Sequence, residues 1–237
     1  MKAMILAAGL GTRFKPWTDS HPKALAQVNG KTLLERNILY LQQFGIKEVM
    51  VNVHHFAGQI LEAVRSNNGW GSAISISDET GELLETGGGL RKAAAYFDEG
   101  PFVLMNADIL TNMDLQAMIT FHEKNKPLVT LAVTDRKSSR YFLFDIHERL
   151  SGWRNAKTGE EKIAIPGGVW HEKAFSGIHC ITPKIFSYMP RHGKFSIVDV
   201  YLNVAASQII LGFDHSGSRL VDVGRPESVT VAESLFP

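Results

Sequence analysis

Residues 1–28 read MKAMILAAGLGTRFKPWTDSHPKALAQV, and the rest of the chain is organised around them. Ala3 to Ala8 is a short apolar run bounded by glycine, the pattern of a strand buried on both faces of a parallel sheet. It runs into Gly9-Leu10-Gly11-Thr12-Arg13, where two glycines free the backbone and a hydroxyl and a guanidinium follow, a composition suited to phosphate. Pro16, Pro22 and Lys23 prolong the turn into a polar segment too rich in proline for a helix and too long for an idle connection. The expectation is a loop that grips a nucleoside triphosphate through backbone N–H groups, with Arg13 and Lys23 as counter-charges.

Two better-known glycine loops are excluded. A dinucleotide fingerprint needs a third small residue that opens a helix and an acid at the end of the second strand, but position 14 is Phe, Lys15-Pro16 blocks an immediate helix, and the second strand ends in Asn52-Val53-His54. A P-loop needs Gly-Lys-Ser/Thr at a fixed distance, which is absent.

Beyond the loop, Thr32 caps an apolar stripe of Leu33, Leu34, Ile38, Leu41 and Phe44, with Glu35 completing the cap and Gly45 closing the helix. Strands at Glu48–Val53, Ala73–Ser77 and Phe102–Met105 alternate with helices at Gln59–Arg65, Gly87–Phe97 and Leu115–Lys124, which implies a parallel sheet. After Lys126 the rhythm changes to strands at 128–133, 141–146, 149–153 and 175–181, joined by turns such as Lys157-Thr158-Gly159. Helices are expected at 183–189 and 198–211, a strand at 219–223 and a last helix from Pro226. The expected organisation is one domain, residues 1–126 forming a nucleotide-binding half and 127–237 a second half that contributes a β-rich lid.

Composition bounds the function. The 237 residues are 44% hydrophobic, enough for a full core, and 25 Lys+Arg against 24 Asp+Glu leave a formal charge of +1, so no global field favours nucleic acid or an anionic membrane. The single cysteine, Cys180, excludes an internal disulfide, and the opening run is too short for a signal peptide, so a cytoplasmic address is expected. No apolar run nears the roughly 20 residues a membrane span needs.

The sequence Leu6-Ala7-Ala8-Gly9-Leu10-Gly11-Thr12-Arg13-Phe14-Lys15-Pro16, followed by Pro22-Lys23, closely resembles the L-A-A-G-x-G-T-R-x-x-P … P-K signature of the sugar-1-phosphate nucleotidyltransferases. The resemblance implies an α/β, Rossmann-like three-layer sandwich with a mostly parallel central sheet. It also implies a nucleoside triphosphate and a sugar 1-phosphate as partners, with Mg²⁺ as cofactor. Nucleotide binding would fall to Leu6, Ala7, Ala8, Gly9, Gly11 and Thr12, together with Arg13 and Lys23, which also carry catalysis. Thr86, Gly87 and Asn106 complete that set.

Asp108, driven to a strand's carboxyl edge by Phe102–Met105, stands where Mg²⁺ would meet phosphate, and the family places a metal-binding Asp in such an A-D pair. Asp114 is the better cap for the next helix. Asp222, in Asp222-Val223-Gly224-Arg225-Pro226, resembles the family's late D-x-G-x-P element and brings the second metal carboxylate. Gly87-Gly88-Gly89 demands close approach by some group, and a nucleobase is the natural guest. Gly88, Glu172, Ser176, Gly177 and Asp199 are candidates for the sugar phosphate, Glu172-Lys173-Ala174 being the nearest counterpart of the E-K-P triplet of glucose-1-phosphate members. Trp153 and Trp170 are candidates for the wall of a sugar pocket, whereas His54-His55 point apart and read as structural.

The spelling E-T-G-G-G, with Gly152-Trp153-Arg154-Asn155 and Phe175-Ser176-Gly177-Ile178, is most similar to short bacterial members acting on N-acetylmuramate, mannose or heptose phosphates. No β-helix acyltransferase domain is expected. Cytidylyl transfer to an alcohol phosphate such as phosphocholine, and a non-catalytic nucleotide-sugar sensor, stay open as alternatives.

Overall fold

The computed structural model describes residues 1–97 and 99–237. In chain order it contains β1 (Lys2–Leu6), the hairpin β2 (Gln27–Val28) and β3 (Lys31–Thr32), α1 (Leu33–Gln43), β4 (Glu48–Val53), α2 (Ala57–Ser66), β5 (Ala73–Asp78) and α3 (Glu85–Lys92). There follow β6 (Phe102–Asn106), β7 (Ile109–Thr111), α4 (Leu115–Asn125), β8 (Val129–Thr134), β9 (Arg140–Phe144), β10 (Leu150–Asn155) and β11 (Glu161–Ile163). The chain ends in β12 (His171–Ile181), α5 (Ile197–Val204), β13 (Ile210–Asp214), β14 (Leu220–Asp222) and α6 (Glu227–Leu235).

One ten-stranded sheet carries the fold, in the order β11-β10-β9-β12-β6-β1-β4-β5, with β8 on β12 and β13 on β8. Its core, β6-β1-β4-β5, is parallel, and β12 joins β6 antiparallel. The chain steps outward from β1 to β4 and β5, then returns to pair β6 on the other side of β1. A crevice therefore opens at the carboxyl ends of β1 and β6, the place where open α/β sheets take ligands. Apolar clusters cover both faces, one around Ile38, Leu41, Leu115 and Met118, the other around Leu90, Phe97, Phe102 and Tyr201, which gives the three layers.

Local chemistry accounts for the ends of the elements. Thr32 accepts from the Glu35 N–H at 3.1 Å, and at the far end of α1 the Ile46 and Gly45 N–H groups return to the Leu41 and Gln42 carbonyls, closing on Gly45 at φ 74°. Asp114 caps α4 through the Ala117 N–H at 3.0 Å. Among the described residues no helix is long and apolar enough to cross a membrane.

The structure departs from the sequence expectations in the second half. The helix expected over 198–211 stops at Val204, and Ile210–Asp214 is a strand parallel to β8, because the β8 edge supplies a ladder that the apolar pattern alone does not reveal. The helix expected over 87–97 ends at Lys92, and that over 183–189 is a 3₁₀ segment, Pro183–Tyr188. The late strand β14 leaves the main sheet and pairs β7 in a separate ribbon.

Candidate active site

The opening loop is fixed from two sides. Gly11 sits at φ 61°, and a Cβ there would come within 2.8 Å of the Thr18 methyl and 3.1 Å of Lys23 Cβ, while the Thr18 hydroxyl and the Phe14 N–H donate to its carbonyl at 2.9 and 2.7 Å. Only glycine closes that turn. Phe14 is buried with Leu110, Val221 and Val223, which ties the loop to β7 and β14.

From the other side, Asn52 Oδ1 accepts from the N–H groups of Ala7 (2.7 Å) and Ala8 (3.3 Å), just where β1 ends. Its Nδ2 donates to Glu79 Oε1 at 2.7 Å, and Glu79 Oε2 accepts from the Leu84 N–H at 3.2 Å. Burial pushes the Glu79 carboxyl up, against the pull of these two donors. A buried polar relay thus joins the phosphate loop to the turn before α3.

Asp108 follows β6 directly and its carboxylate is ion-paired to Lys23 Nζ. The Val223 N–H donates to the Asp108 carbonyl at 2.8 Å, and the β14–β7 register sets Asp222 opposite Ile109, so the two acids lie side by side although far apart in sequence. Desolvation in the cleft holds the Asp222 carboxyl above its usual range, and the Asp108 charge adds to this, while Lys23 and Arg13 oppose it. Arg13 lies over Gly224: a Cβ there would fall 2.9 Å from Arg13 Nη2 and 2.6 Å from Asp222 Oδ1. Among the described residues no cluster of three or more His, Cys, Asp or Glu forms. A hard cation held by the two acids would take its other oxygens from phosphate and water.

Two cavities meet at this seam. One, of about 390 Å³, is walled by Leu6 to Gly9, Lys23, Asn52, Glu85 and Asp108. The other, of about 440 Å³, is walled by Arg136, Tyr141, Trp153, Phe175, Gly177, Asp199 and Asp222. Thr86, Asn106 and Ser196 line both. Thr86 Oγ1 accepts from the Ile197 N–H at 3.0 Å, so the joint between the cavities is also the joint between α3 and α5.

The predicted site residues divide accordingly. Leu6, Ala7, Ala8, Gly9, Lys23 and Asp108 line the first cavity, Gly177, Asp199 and Asp222 the second, and Thr86 and Asn106 both. Gly11, Thr12 and Arg13 lie outside both walls, Gly11 shaping the loop and Arg13 reaching Asp222 over Gly224. The glycine triplet meets protein: a Cβ on Gly87 would lie 2.5 Å from the Phe195 ring, on Gly88 2.5 Å from the Gly193 carbonyl, and on Gly89 2.5 Å from Glu79 Oε1. The close approach inferred from these glycines is thus made by residues 193–195 and Glu79.

Two residues expected near the sugar phosphate, Ser176 and Glu172, line neither cavity. Ser176 is fully buried, its hydroxyl hydrogen-bonded to His215 Nε2 at 2.8 Å. Glu172 is ion-paired to Arg154, and Lys173 to Asp135 and Asp214, outside both cavities. Their place on the wall is taken by Lys162 of β11, which sits opposite Trp153. Trp170 lines neither cavity, and His54 is used structurally, its Nδ1 meeting the Glu79 carbonyl at 2.6 Å.

Residues 2–230 match the nucleotidyl transferase family. The chain belongs to that family. An N-acetylmuramate alpha-1-phosphate uridylyltransferase of Caulobacter vibrioides is 31% identical over 240 residues, 98% of this chain and 95% of that one. A mannose-1-phosphate guanyltransferase of Yarrowia lipolytica is 24% identical over 239 residues, covering 100% of this chain and 64% of that one. The fold is shared with HddC of Yersinia pseudotuberculosis, solved in complex with GMP-PN, at a TM-score of 0.79 and 23% identity over 100% of this chain and 99% of that one.

Several residues of this nucleotidyl transferase escaped the sequence reading. Asn52 is a polar residue inside the otherwise apolar β4 and 2% exposed, a signal that marks a buried hydrogen-bonding duty. Arg136, Arg140 and Lys162 lie in the lid, where no motif flags them; only the pairing of β9, β10 and β11 brings them to one wall.

Proposed function

We propose that this nucleotidyl transferase makes a nucleoside-diphosphate sugar and pyrophosphate from a nucleoside triphosphate and a sugar 1-phosphate of the N-acetylmuramate or mannose kind. The observation that carries the proposal is the seam itself: Asp108 and Asp222 side by side, countered by Lys23 and Arg13, between two cavities of ligand size. The β1 loop and the Glu79–Asn52 relay orient the triphosphate, and the lid cavity holds the sugar phosphate.

An oxygen of the sugar phosphate forms a new bond to the α-phosphorus in line, the bond from that phosphorus to the β-phosphate oxygen breaks, and pyrophosphate leaves with the electron pair. Catalysis is then positioning and charge neutralisation. Arg13 stabilises the departing pyrophosphate, and Lys23 the charge at the reacting phosphorus. The two carboxylates fit a hard divalent cation such as Mg²⁺, which supplies charge neutralisation at the phosphates when bound. Asp108 and Asp222 would hold it.

Pyrophosphate release with UTP, GTP, CTP and TTP against a panel of sugar 1-phosphates tests this. Turnover in at least one combination, dependent on Mg²⁺, is the expected result. Arg13→Ala and Asp108→Asn are each expected to cost about 10²-fold or more in kcat with the fold retained. Unchanged pyrophosphate release in either variant overturns the assignment.

A further inference from the structure

The sugar cavity holds more positive charge than one phosphate needs. Of its three cations, Lys162 is neutralised by Asp199 at 2.9 Å across the cavity mouth. Arg136 and Arg140 form no ion pair among the described residues. Arg136 is the inner of the two: its Nη2 donates to the Phe175 carbonyl at 2.7 Å, its Nε is buried without a partner, and it lines the same cavity as Asp222. It therefore stands on the Asp222 side of the cavity, where the 1-phosphate would lie. Arg140 opens β9, opposite Asn155 on β10, and so stands on the lid wall, with Tyr141 and Trp153 as its neighbours in the cavity lining.

The segment that carries it is braced. The Ser138 N–H donates to the Tyr141 hydroxyl at 2.8 Å, the Arg140 N–H to Ser138 Oγ at 3.2 Å and the Ala156 N–H to the Ser139 carbonyl at 2.9 Å. Braced on both sides, this backbone fixes where the Arg140 side chain starts.

Resting on the sugar-phosphate function proposed above, we infer that the preferred sugar carries a second anionic group, a carboxylate, which Arg140 reads while Arg136 serves the 1-phosphate. A guanidinium fork matches a carboxylate with two parallel hydrogen bonds. A monoanion balances the one remaining guanidinium. A second phosphate would add net negative charge on a wall that already holds Asp199 and Asp222. The apolar side of the same wall, Phe142, Trp153, Phe175 and Ile197, suits a sugar face and small apolar substituents.

The test compares N-acetylmuramate 1-phosphate with N-acetylglucosamine 1-phosphate, which differ only by the carboxylated ether at O3, and with glucose 1,6-bisphosphate. Wild-type kcat/KM is expected to favour the carboxylated sugar. Arg140→Gln should cut the ratio of the first two kcat/KM values about 10- to 100-fold, chiefly through KM, and Arg140→Lys should restore part of it. Equal use of the first two sugars by wild type, a preference for the bisphosphate, or a ratio unmoved in Arg140→Gln each overturns the inference while the sugar-phosphate function stands. Absence of turnover with every sugar phosphate overturns that function instead.

Discussion

Asp222 carries a cost that its partner Asp108 helps impose. In the folded chain desolvation holds its carboxyl above the usual carboxylate range, so the ionised form is less favourable folded than unfolded, and its unfavourable contribution grows as pH rises through the folded value. Asp222→Asn removes that penalty. In EDTA at pH 7 the variant is expected to melt above wild type, and Mg²⁺ should raise the melting temperature of wild type alone, since a ligand that binds only the native state stabilises it. Thermal scans with and without Mg²⁺ read both signs. At Gly89 two effects oppose each other. Gly→Ala in a helix normally gains up to about 1 kcal/mol, but here the Cβ meets Glu79 Oε1 at 2.5 Å and Asn52 Nδ2 at 2.9 Å. The clash prevails: Gly89→Ala is expected to lose about 1–3 kcal/mol in urea unfolding and to raise KM for the triphosphate, as the relay to Ala7 and Ala8 is displaced. At this scale Gly11 and Lys23 were legible because a phosphate loop needs those residue types in that order, Asp108 because an apolar run drives it to a strand's carboxyl edge, and Asp222 through the family resemblance alone. Glu79 and the lid arginines were not, because their roles depend on partners dozens of residues away.

At the scale of elements, β12 is what shapes the sugar cavity. Its pairing with β8 slips between Phe175 and His179, where residues 176–178 of β12 stand against Ala132 alone of β8, and Gly177 occupies the bulge at φ 74°. A Cβ on Gly177 would stand 2.8 Å from Ile109, which opens β7, and 2.9 Å from the amide of Asn106, which ends β6. Gly177→Ala therefore combines left-handed strain of about 1–2 kcal/mol with a clash, and is expected to lower the melting temperature by about 2–8 °C and to raise KM for the sugar phosphate more than for the triphosphate. Steady-state kinetics with each substrate varied in turn measures the difference. The parallel core was legible because β1, β4 and β6 are nearly uninterrupted apolar runs, a pattern with few other solutions. β13 was misread because Val198 to Leu211 contains neither glycine nor proline, and its break at Ala205 is decided by the β8 edge rather than by local propensity. The strand expected at 219–223 is β14, but its partner β7, three residues long, is below what periodicity detects, and only their ribbon brings Asp222 to Asp108.

For the molecule as a whole, three histidines are folded in neutral form. His122 lies between the Thr130 and Thr182 hydroxyls at 2.9 and 3.2 Å, His179 meets the Tyr201 hydroxyl at 2.8 Å, and His215 meets Ser176. Burial lowers them from 6.5 to about 4, about 3 and about 4 respectively, with Arg136 adding to the effect on His215 and Asp214 opposing it. Between pH 6.5 and about 4 the unfolded chain thus binds three protons that the native chain refuses, and stability must fall as pH falls through that window. Each proton is worth about 1.4 kcal/mol per pH unit at full slope, so the three together remove on the order of 4 kcal/mol by one unit below 6.5, a large share of a typical 5–15 kcal/mol. Most carboxylates titrate lower, which leaves pH 6.5 to 5 as a clean window for the histidines. Urea midpoints across it are expected to drop steeply in wild type, and the slope to lose about one proton in His122→Gln and again in His179→Gln. A midpoint flat from pH 7 to 5 would mean that these rings are charged in the native state. Because His215 bonds Ser176 inside the β12 bulge and Arg136 bears on both His215 and Asp222, the acid limit of the fold reaches the sugar cavity directly. Protonation of folded His215, at about 4, comes only after the midpoint has begun to fall, so KM for the sugar phosphate should hold from pH 6.5 to 5 and change only near pH 4, where a cation forms beside Arg136.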